Sequence, residues 1–403
     1  IEEDEGRGAT FKVVKEAMSF DKMVEVLDGF LTCDEYTEIV INSPDEVFLR
    51  KENLYRPLLA KFSSLEDYDR YLDLLVDRCV ASGGFPYTHK DDWRQYGAVD
   101  GVFVLRYGEE NNEVRVRADI VLPPIVAYPK LTMCRKRSRK NALSMDDLVR
   151  SRTLTEHMAN LLQFAVLSRL NLIVSGSTGT GKTTMIQALL AFIPPQERVV
   201  IIEEEPELDP PPSLPNVVSL LTVVGSPSQE GSGPYTQRFA LGDLVKHALY
   251  MRPQRIIVGE IRTEGALALV DALSTGHDGS ITSVHSSSPS RAVERIINLC
   301  LREIGGRGID KSVIGDEVCR VFHLGVHMTL YGQGRYLVDQ ITEIEYLTGS
   351  YNRVTTNTLW YWDYRSERHR CNSPRFSPYL EELLGSKGII VPYEKLFVVE
   401  TEE

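Results

Sequence analysis

Residues 176–183 constrain this chain more than any other segment. They read Gly-Ser-Thr-Gly-Thr-Gly-Lys-Thr and fit the pattern G-x-x-x-x-G-K-[ST]. The apolar residues 172–174 before them are typical of a strand, and residues 184–190 after them are typical of a helix. In a strand–loop–helix unit, glycines let consecutive backbone N–H groups curl around phosphate oxygens at the positive end of the helix. We therefore predict a nucleoside triphosphate site at this loop.

The polar side chains of this loop have distinct expected roles. Lys182 should reach the β- and γ-phosphates, and the Thr183 hydroxyl should hold Mg²⁺. The residues predicted to bind the nucleotide are Ser177, Thr178, Gly179, Thr180, Gly181, Lys182, Thr183 and Thr184.

Length, charge and cysteine usage limit the function classes. With 403 residues, the chain is too long for one core and predicts two domains plus extensions. The net charge of −12 disfavours nucleic acid and anionic lipid, so no sequence-specific nucleic-acid binding is expected. No apolar run approaches the roughly 20 residues that cross a bilayer, which predicts peripheral membrane contact at most. Six scattered cysteines without a C-x-x-C pair favour a reducing, cytoplasmic location.

Residues 1–140 are predicted to form a small α+β domain with a helical arm over residues 1–30. Apolar positions at 13, 17, 20, 24 and 27 indicate an amphipathic helix over residues 11–30. Two strands joined by a turn are predicted at 38–42 and 47–49, and Ser64 is expected to cap a helix that runs to Val80.

Further strands are predicted at 102–107 and 114–122, followed by a basic stretch without acidic residues. This stretch is either a solvated surface strand or a face that meets polyphosphate or a neighbouring subunit. Its members are Lys130, Arg135, Lys136, Arg137, Arg139 and Lys140.

Residues 141–350 are predicted to form an α/β domain, because strand-like and helix-like segments alternate there. Such alternation implies a mostly parallel sheet with helices on both faces. Residues 210–234, rich in Pro, Ser and Gly, are predicted to be a long loop beside the site. Residues 351–403 are treated as a C-terminal extension of undetermined role. The predicted strands are 172–174, 199–202, 256–258 and 280–284, and the predicted helices are 144–170, 241–251, 265–274 and one opened by Ser288-Pro289.

Carboxylates follow two of the predicted strands. Because the carboxyl ends of parallel strands line a ligand crevice, Glu260 is expected to face the γ-phosphate and activate water. The alternative is an exposed loop glutamate. Glu203, Glu204 and Glu205 follow residues 199–202, and adjacent carboxylates repel one another unless a cation compensates. We therefore predict that Glu203 and Glu204 hold Mg²⁺, directly or through water; a solvated turn is the alternative.

His285 ends another short predicted strand. A histidine there can donate a hydrogen bond to the γ-phosphate and report its presence. A lone histidine is more often structural, and the residue pattern alone leaves both interpretations open.

Four segments together resemble the type II/type IV secretion ATPase family: the phosphate loop and residues 202–208, 251–262 and 275–285. They are similar, in the family's order, to its Walker A motif, Asp box, Walker B motif and His box. The resemblance covers roughly residues 35–347 and is strongest to the tight-adherence (Tad) pilus branch. It implies a RecA-like ATPase domain preceded by an N-domain, a homo-hexameric ring, and ATP with Mg²⁺ bound between the two domains.

The resemblance also implies a role and partners. The enzyme would couple ATP hydrolysis to pilus assembly or secretion, bound peripherally at the cytoplasmic membrane to an inner-membrane platform protein. Arg117 and Arg135 match N-domain arginines that complete the site, and Arg252 and Arg262 fall on Walker B motif positions. The chain departs from the family pattern in carrying Glu204 for aspartate and Val223 and Tyr250 for arginines. A RecA-like nucleic-acid motor and a nucleotide-bound scaffold with little turnover are the alternatives.

Overall fold

A computed structural model describes residues 15–51, 54–83, 93–108, 112–136, 143–222, 239–305, 310–332, 334–347 and 353–397. The chain divides into two compact units, Ile1–Ser138 and Arg139–Glu403. Several residues singled out in the sequence lie outside the described part: Arg137, Arg139, Lys140, Val223 and positions 1–14 of the predicted arm. Within the described part, no helix is both long and apolar enough to span a bilayer.

An antiparallel sheet forms the body of the first unit. Two helices, α1 (Phe20–Thr32) and α2 (Leu65–Ala81), contribute to its single hydrophobic core. The Ser64 hydroxyl caps α2 by accepting the Asp67 N–H at 3.0 Å, which confirms the predicted cap. The described strands lie in the order β4 (Leu54–Pro57), β3 (Glu46–Lys51), β2 (Glu38–Ser43), β8 (Lys130–Lys136), β7 (Asn112–Val121) and β6 (Ala98–Tyr107).

The predicted helix over residues 11–30 is wrong at its amino-terminal end. Residues Glu16–Met18 form a strand, β1, which pairs in parallel with β5 (Ala60–Phe62). The helix begins at Phe20 instead and buries Met23, Leu27 and Leu31. Backbone pairing with a segment more than 40 residues away overrides the local helical spacing of residues 16–18.

The second unit is built on a mixed sheet whose larger part is parallel. Among the first six strands across the sheet, neighbours pair in parallel, and the last three pairings are antiparallel. This agrees with the predicted mostly parallel sheet. The described strands lie in the order β11 (Val217–Leu221), β10 (Val199–Glu203), β12 (Arg255–Val258), β13 (Ile281–His285), β9 (Leu172–Gly176), β14 (Leu324–Tyr331), β15 (Arg335–Leu347), β16 (Arg353–Asp363) and β17 (Arg368–Cys371).

Helices cover both faces of this sheet, as buried parallel strands require. One core cluster takes residues from α3 (Met145–Arg150), α4 (Glu156–Leu167), α5 (Lys182–Leu190), α10 (Pro378–Ser386) and α11 (Tyr393–Leu396). The other takes residues from α6 (Leu241–Tyr250), α7 (Ala266–Ser274), α8 (Pro289–Ile304) and α9 (Lys311–Val321). Alternate residues of β9 point into the two clusters: Val174 into the first and Ile173 into the second.

Three segments of this unit differ from their predicted form. The predicted helix over residues 144–170 is two helices, since Thr155 caps a new one at α4. The predicted loop over residues 210–234 contains the edge strand β11, which pairs along the full length of β10. Strands β16 and β17 continue the main sheet, and Trp360 is only 2% exposed, so the described part of the C-terminal segment packs within this unit.

A buried ion pair lies at the amino-terminal end of β12. Arg255 is fully buried, and its Nε and Nη2 atoms donate to the two Glu197 carboxylate oxygens at 2.7 and 3.0 Å. Its Nη1 donates to the carbonyls of Val166, at 2.8 Å, and Gly279, at 3.2 Å. One side chain thus joins α4, β12 and the start of β13.

His323 makes the stability of this unit depend on pH. It is 6% exposed, its Nδ1 accepts the Asn171 N–H at 2.9 Å, and burial lowers its pKa from 6.5 to about 4. The unfolded chain therefore binds a proton between pH 6.5 and 4 that the folded chain does not, so stability falls as pH falls through this window. At 1.36 kcal/mol per pKa unit, this loss amounts to about 3 kcal/mol.

We expect His323→Gln to remove about 3 kcal/mol from the acid-induced loss of stability between pH 7 and pH 4. Urea unfolding at both pH values measures it. His247→Gln, at an exposed position, is the matched control and should follow the wild type. Equal pH dependence in the His323 variant and the wild type would contradict the assignment.

Candidate nucleotide-binding site

The carboxyl ends of parallel strands meet at one edge of the second sheet. Gly176, the first residue of the phosphate loop, pairs with His285 of β13 on one side and with Met328 of β14 on the other. Val258 pairs with Thr282, and Glu260 follows two residues after it. The phosphate loop, His285 and Glu260 therefore lie at the same edge of the sheet, as the sequence predicts.

Glycine is required in the loop by backbone conformation and close contact. Gly181, at φ 92°, precedes α5 as its N-cap, and Gly179 has φ 76°; both lie in the left-handed region. A Cβ on Gly176 would lie 2.4 Å from the Met328 carbonyl oxygen and 2.5 Å from the Thr180 Oγ1. Thr180 Oγ1 donates to the Ser177 carbonyl at 2.8 Å. The loop thus turns tightly from β9 into the helix.

Lys182 is a buried ammonium group with 7% of its surface exposed. Its Nζ lies 3.0 Å from the Ser177 carbonyl oxygen, 3.2 Å from that of Gly176, and 3.1 Å from Nδ1 of His285. Burial lowers its pKa, while Glu260 and Glu207 oppose this shift. Polyphosphate oxygens would compensate this partly desolvated charge.

His285 bridges Lys182 and Glu260. Its Nε2 lies 2.7 Å from Glu260 Oε1. Burial, followed by the Lys182 charge, lowers the pKa of His285, so the neutral ring is favoured. Because Nδ1 faces an ammonium donor, the proton of the neutral ring belongs on Nε2. Nε2 is close to Glu260 Oε1, but the two atoms are not aligned as a hydrogen bond.

Arg262 holds the other side of Glu260. Its Nε is 3.2 Å from Glu260 Oε2, and its Nη1 is 3.4 Å from Glu204 Oε2. A connected row of charged and polar groups thus runs from Lys182 through the histidine and both carboxylates. Glu260 and His285 lie beside Lys182, the arrangement on which the sequence prediction depends.

The carboxylate beside Thr183 is Glu207, a residue for which the sequence predicts no role. Thr183 Oγ1 donates to Glu207 Oε2 at 2.7 Å. Glu203, only 3% exposed, instead holds the following turn, as its Oε1 accepts the backbone N–H groups of Glu207 at 3.0 Å and Leu208 at 2.9 Å. No local signal distinguishes these carboxylates, because the path of the turn decides which one reaches α5.

Thr183 and Glu207 fit a magnesium ion by the chemistry of their atoms. Hydroxyl and carboxylate oxygens are hard metal ligands. In nucleotide sites Mg²⁺ keeps several waters and phosphate oxygens as further ligands. No group of three His, Cys, Asp or Glu side chains in the described ranges could hold a metal ion. Glu204, predicted as a ligand, contacts Arg262.

Of the two arginines that fall on Walker B motif positions, Arg262 belongs to this row and Arg252 does not. Arg252 is exposed, with φ 51°, in the turn before β12, and so lies at the edge of the sheet where β12 begins. Lys182 and His285 lie at the opposite edge, so within one chain the structure does not bring Arg252 to the loop. Arg117 lies on β7 and Arg135 on β8, where it pairs with Asp34. Their contact with nucleotide stays a prediction.

Comparison with known proteins identifies the family. Residues 98–315, just over half of the chain, match the family model described as Type II/IV secretion system protein. The chain belongs to this family. The family prediction is confirmed, and membership of the Tad branch stays a prediction.

Two relatives and one solved structure illustrate the match. The conjugal transfer protein TrbB of Rhizobium radiobacter is 33% identical over 245 residues, 57% of this chain and 69% of TrbB. VirB11 of the same species is 29% identical over 306 residues, 69% of this chain and 80% of VirB11. The structure of the ATPase DotB of Legionella pneumophila superposes with a TM-score of 0.51 at 15% identity, covering 83% and 82% of the two chains. The RecA-like fold class is thereby confirmed.

Proposed function

We propose that this protein is a Mg²⁺-dependent ATPase that drives a pilus-assembly or type IV secretion machine. The proposal depends on one observation: Lys182, His285 and Glu260 form a contact row beside the phosphate loop. Hydrolysis of a triphosphate needs a phosphate clamp, a group that orients water, and neutralisation of the transferred phosphoryl group. This row contains candidates for each need.

Each residue of the row has a proposed role. The loop N–H groups and Lys182 bind the β- and γ-phosphates, and Glu260 accepts a proton from the attacking water. Arg262 holds one oxygen of Glu260, and the neutral His285 keeps the other oriented from 2.7 Å while contacting Lys182. Thr183 and Glu207 would hold Mg²⁺, which when bound would neutralise phosphate charge.

The assembly is proposed from family membership. The protein would act as a homo-hexamer at the cytoplasmic face of the membrane, peripherally bound to an inner-membrane platform protein. Light scattering in the presence of Mg-ATP tests the ring, which should have six times the chain mass of 45.5 kDa. The name of TrbB, a conjugal transfer protein, and the family description, Type II/IV secretion system protein, support secretion or conjugal transfer as the process.

Removing the loop ammonium tests the enzymatic proposal directly. We expect Lys182→Ala to lower phosphate release from Mg-ATP at least ~10²-fold, because a buried charge aimed at the developing phosphoryl charge is lost. Isothermal titration should show weakened ATP binding as well. Lys311→Ala, at an exposed lysine at the start of α9, is the matched control and should keep full activity. Equal turnover by Lys182→Ala and wild type would overturn the proposed site.

A further inference from the structure

Tyr336 lies against the phosphate loop and is partly open to solvent. Its ring atoms Cδ1 and Cε1 lie 3.4 and 3.8 Å from the position that a Cβ on Gly181 would occupy. The residue is 43% exposed. An aromatic ring therefore adjoins the N-cap of α5, with part of its surface free for a ligand.

The side of the loop on which Tyr336 lies is fixed by strand register. Gly176 has His285 on its β13 side and Met328 on its β14 side. Strand β14 continues beyond Met328, and Tyr336 of β15 pairs with Leu330. At about 3.3 Å per residue, this pair lies roughly 7 Å beyond the level of Gly176. The two strands thus form a wall on the side of the loop opposite His285 and Glu260.

Tyr336 lies against the loop, whereas its neighbours in this wall contact other groups. Successive strand residues point to opposite faces of a sheet. The Arg335 guanidinium lies 5.1 Å from the Trp362 ring centroid and donates to the Arg152 carbonyl at 3.0 Å. Tyr331, opposite Arg335, also packs its ring against Trp362. The side chains of Arg335 and Tyr331 are thus already engaged with Trp362.

A triphosphate bound to the loop would have its two ends on opposite sides of the loop. Its γ-phosphate belongs beside Glu260 and His285, where water is activated, so its nucleoside end leaves toward β14 and β15. We propose that Tyr336 is the platform on which the base of the nucleotide stacks, an inference that rests on the proposed ATPase function. The ligand group is a nucleobase, and purines should bind best because their larger ring offers more stacking area.

Comparing a nucleotide with its phosphate chain alone tests this platform. Binding of Mg-ATP and of Mg-tripolyphosphate is measured by titration calorimetry for wild type, Tyr336→Ala and Tyr336→Phe. We expect Tyr336→Ala to bind ATP about 10- to 100-fold more weakly, as for loss of one base–aromatic stack, with Tyr336→Phe within about threefold of wild type. Binding of tripolyphosphate should stay unchanged in both variants. Tyr379→Ala, at a tyrosine 52% exposed on α10, is the control for surface truncation.

The outcomes separate this inference from the proposed function. Wild-type ATP affinity in Tyr336→Ala would overturn the platform alone. An equal loss of ATP and tripolyphosphate binding would also overturn it, since the ring would then only support the loop. If the wild type binds neither ligand, the proposed function fails and the platform with it. In turnover assays, a platform predicts a raised KM for ATP with unchanged kcat in Tyr336→Ala.

Discussion

Glu260→Gln is expected to bind ATP yet hydrolyse it at least ~10²-fold more slowly than the wild type, in line with losses of a general base. The amide keeps the size of the side chain but cannot accept the proton of the attacking water. Its oxygen can still face Arg262, so the Glu260 side of the row should remain in position. Phosphate release at saturating Mg-ATP, together with calorimetric ATP binding, measures both parts of the prediction.

Glu264→Gln is the matched control for this experiment. It makes the same chemical change four residues along the chain, at an exposed position just before α7. Its turnover should equal that of the wild type. Undiminished turnover in Glu260→Gln would remove Glu260 from the role of base, and His285 would then have to be tested next.

Arg255→Met is expected to destabilise the second unit by about 3–5 kcal/mol, the typical cost of breaking a buried ion pair from one side. The substitution leaves the Glu197 carboxylate without the two hydrogen bonds it receives at 2.7 and 3.0 Å. It also removes Nη1, which donates to both the Val166 and the Gly279 carbonyl. Urea unfolding monitored by circular dichroism gives the free energy.

A double variant and a surface pair sharpen this test. Adding Glu197→Gln to Arg255→Met should recover part of the loss, because it removes a buried carboxylate charge that would otherwise keep only Arg169, at 3.6 Å, as a partner. Arg320→Met breaks an exposed pair with Asp316 on α9 and should cost no more than about 1 kcal/mol. A cost that small for Arg255→Met would show that the buried pair contributes little.

Sequence reasoning was most successful where local pattern and strand ends coincide. The motif at residues 176–183 predicts its own strand–loop–helix, and the structure contains it as β9, the loop and α5. Glu260 and His285 were expected beside Lys182 because each follows a short apolar strand, and parallel strands end at one edge. Arg252 belongs to the same motif as Glu260, but Arg252 precedes β12 whereas Glu260 follows it. The same rule therefore places Arg252 at the opposite edge of the sheet.

Where long-range pairing decides the structure, the sequence was less informative. Strand β1 (Glu16–Met18) forms by parallel pairing with β5, which follows it in the chain. The edge strand β11 forms by parallel pairing with β10, which precedes it. Neither strand shows an alternation of apolar and polar residues strong enough to be predicted. In β1 the helical spacing of apolar residues outweighs it, and in β11 the Pro- and Gly-rich neighbourhood does. The C-terminal strands β16 and β17 likewise became part of the main sheet through pairing that starts at β15.

The phosphate loop, the α/β class and the strand-end position of Glu260 and His285 can be read from the amino-acid sequence, since each depends on residues adjacent in the chain and on strand direction. Three contacts emerge only in the folded chain: Glu207 with Thr183, His285 with both Lys182 and Glu260, and Tyr336 with Gly181. These contacts join segments 24 to 155 residues apart, and their geometry follows from turn path and strand register. No local pattern records either quantity.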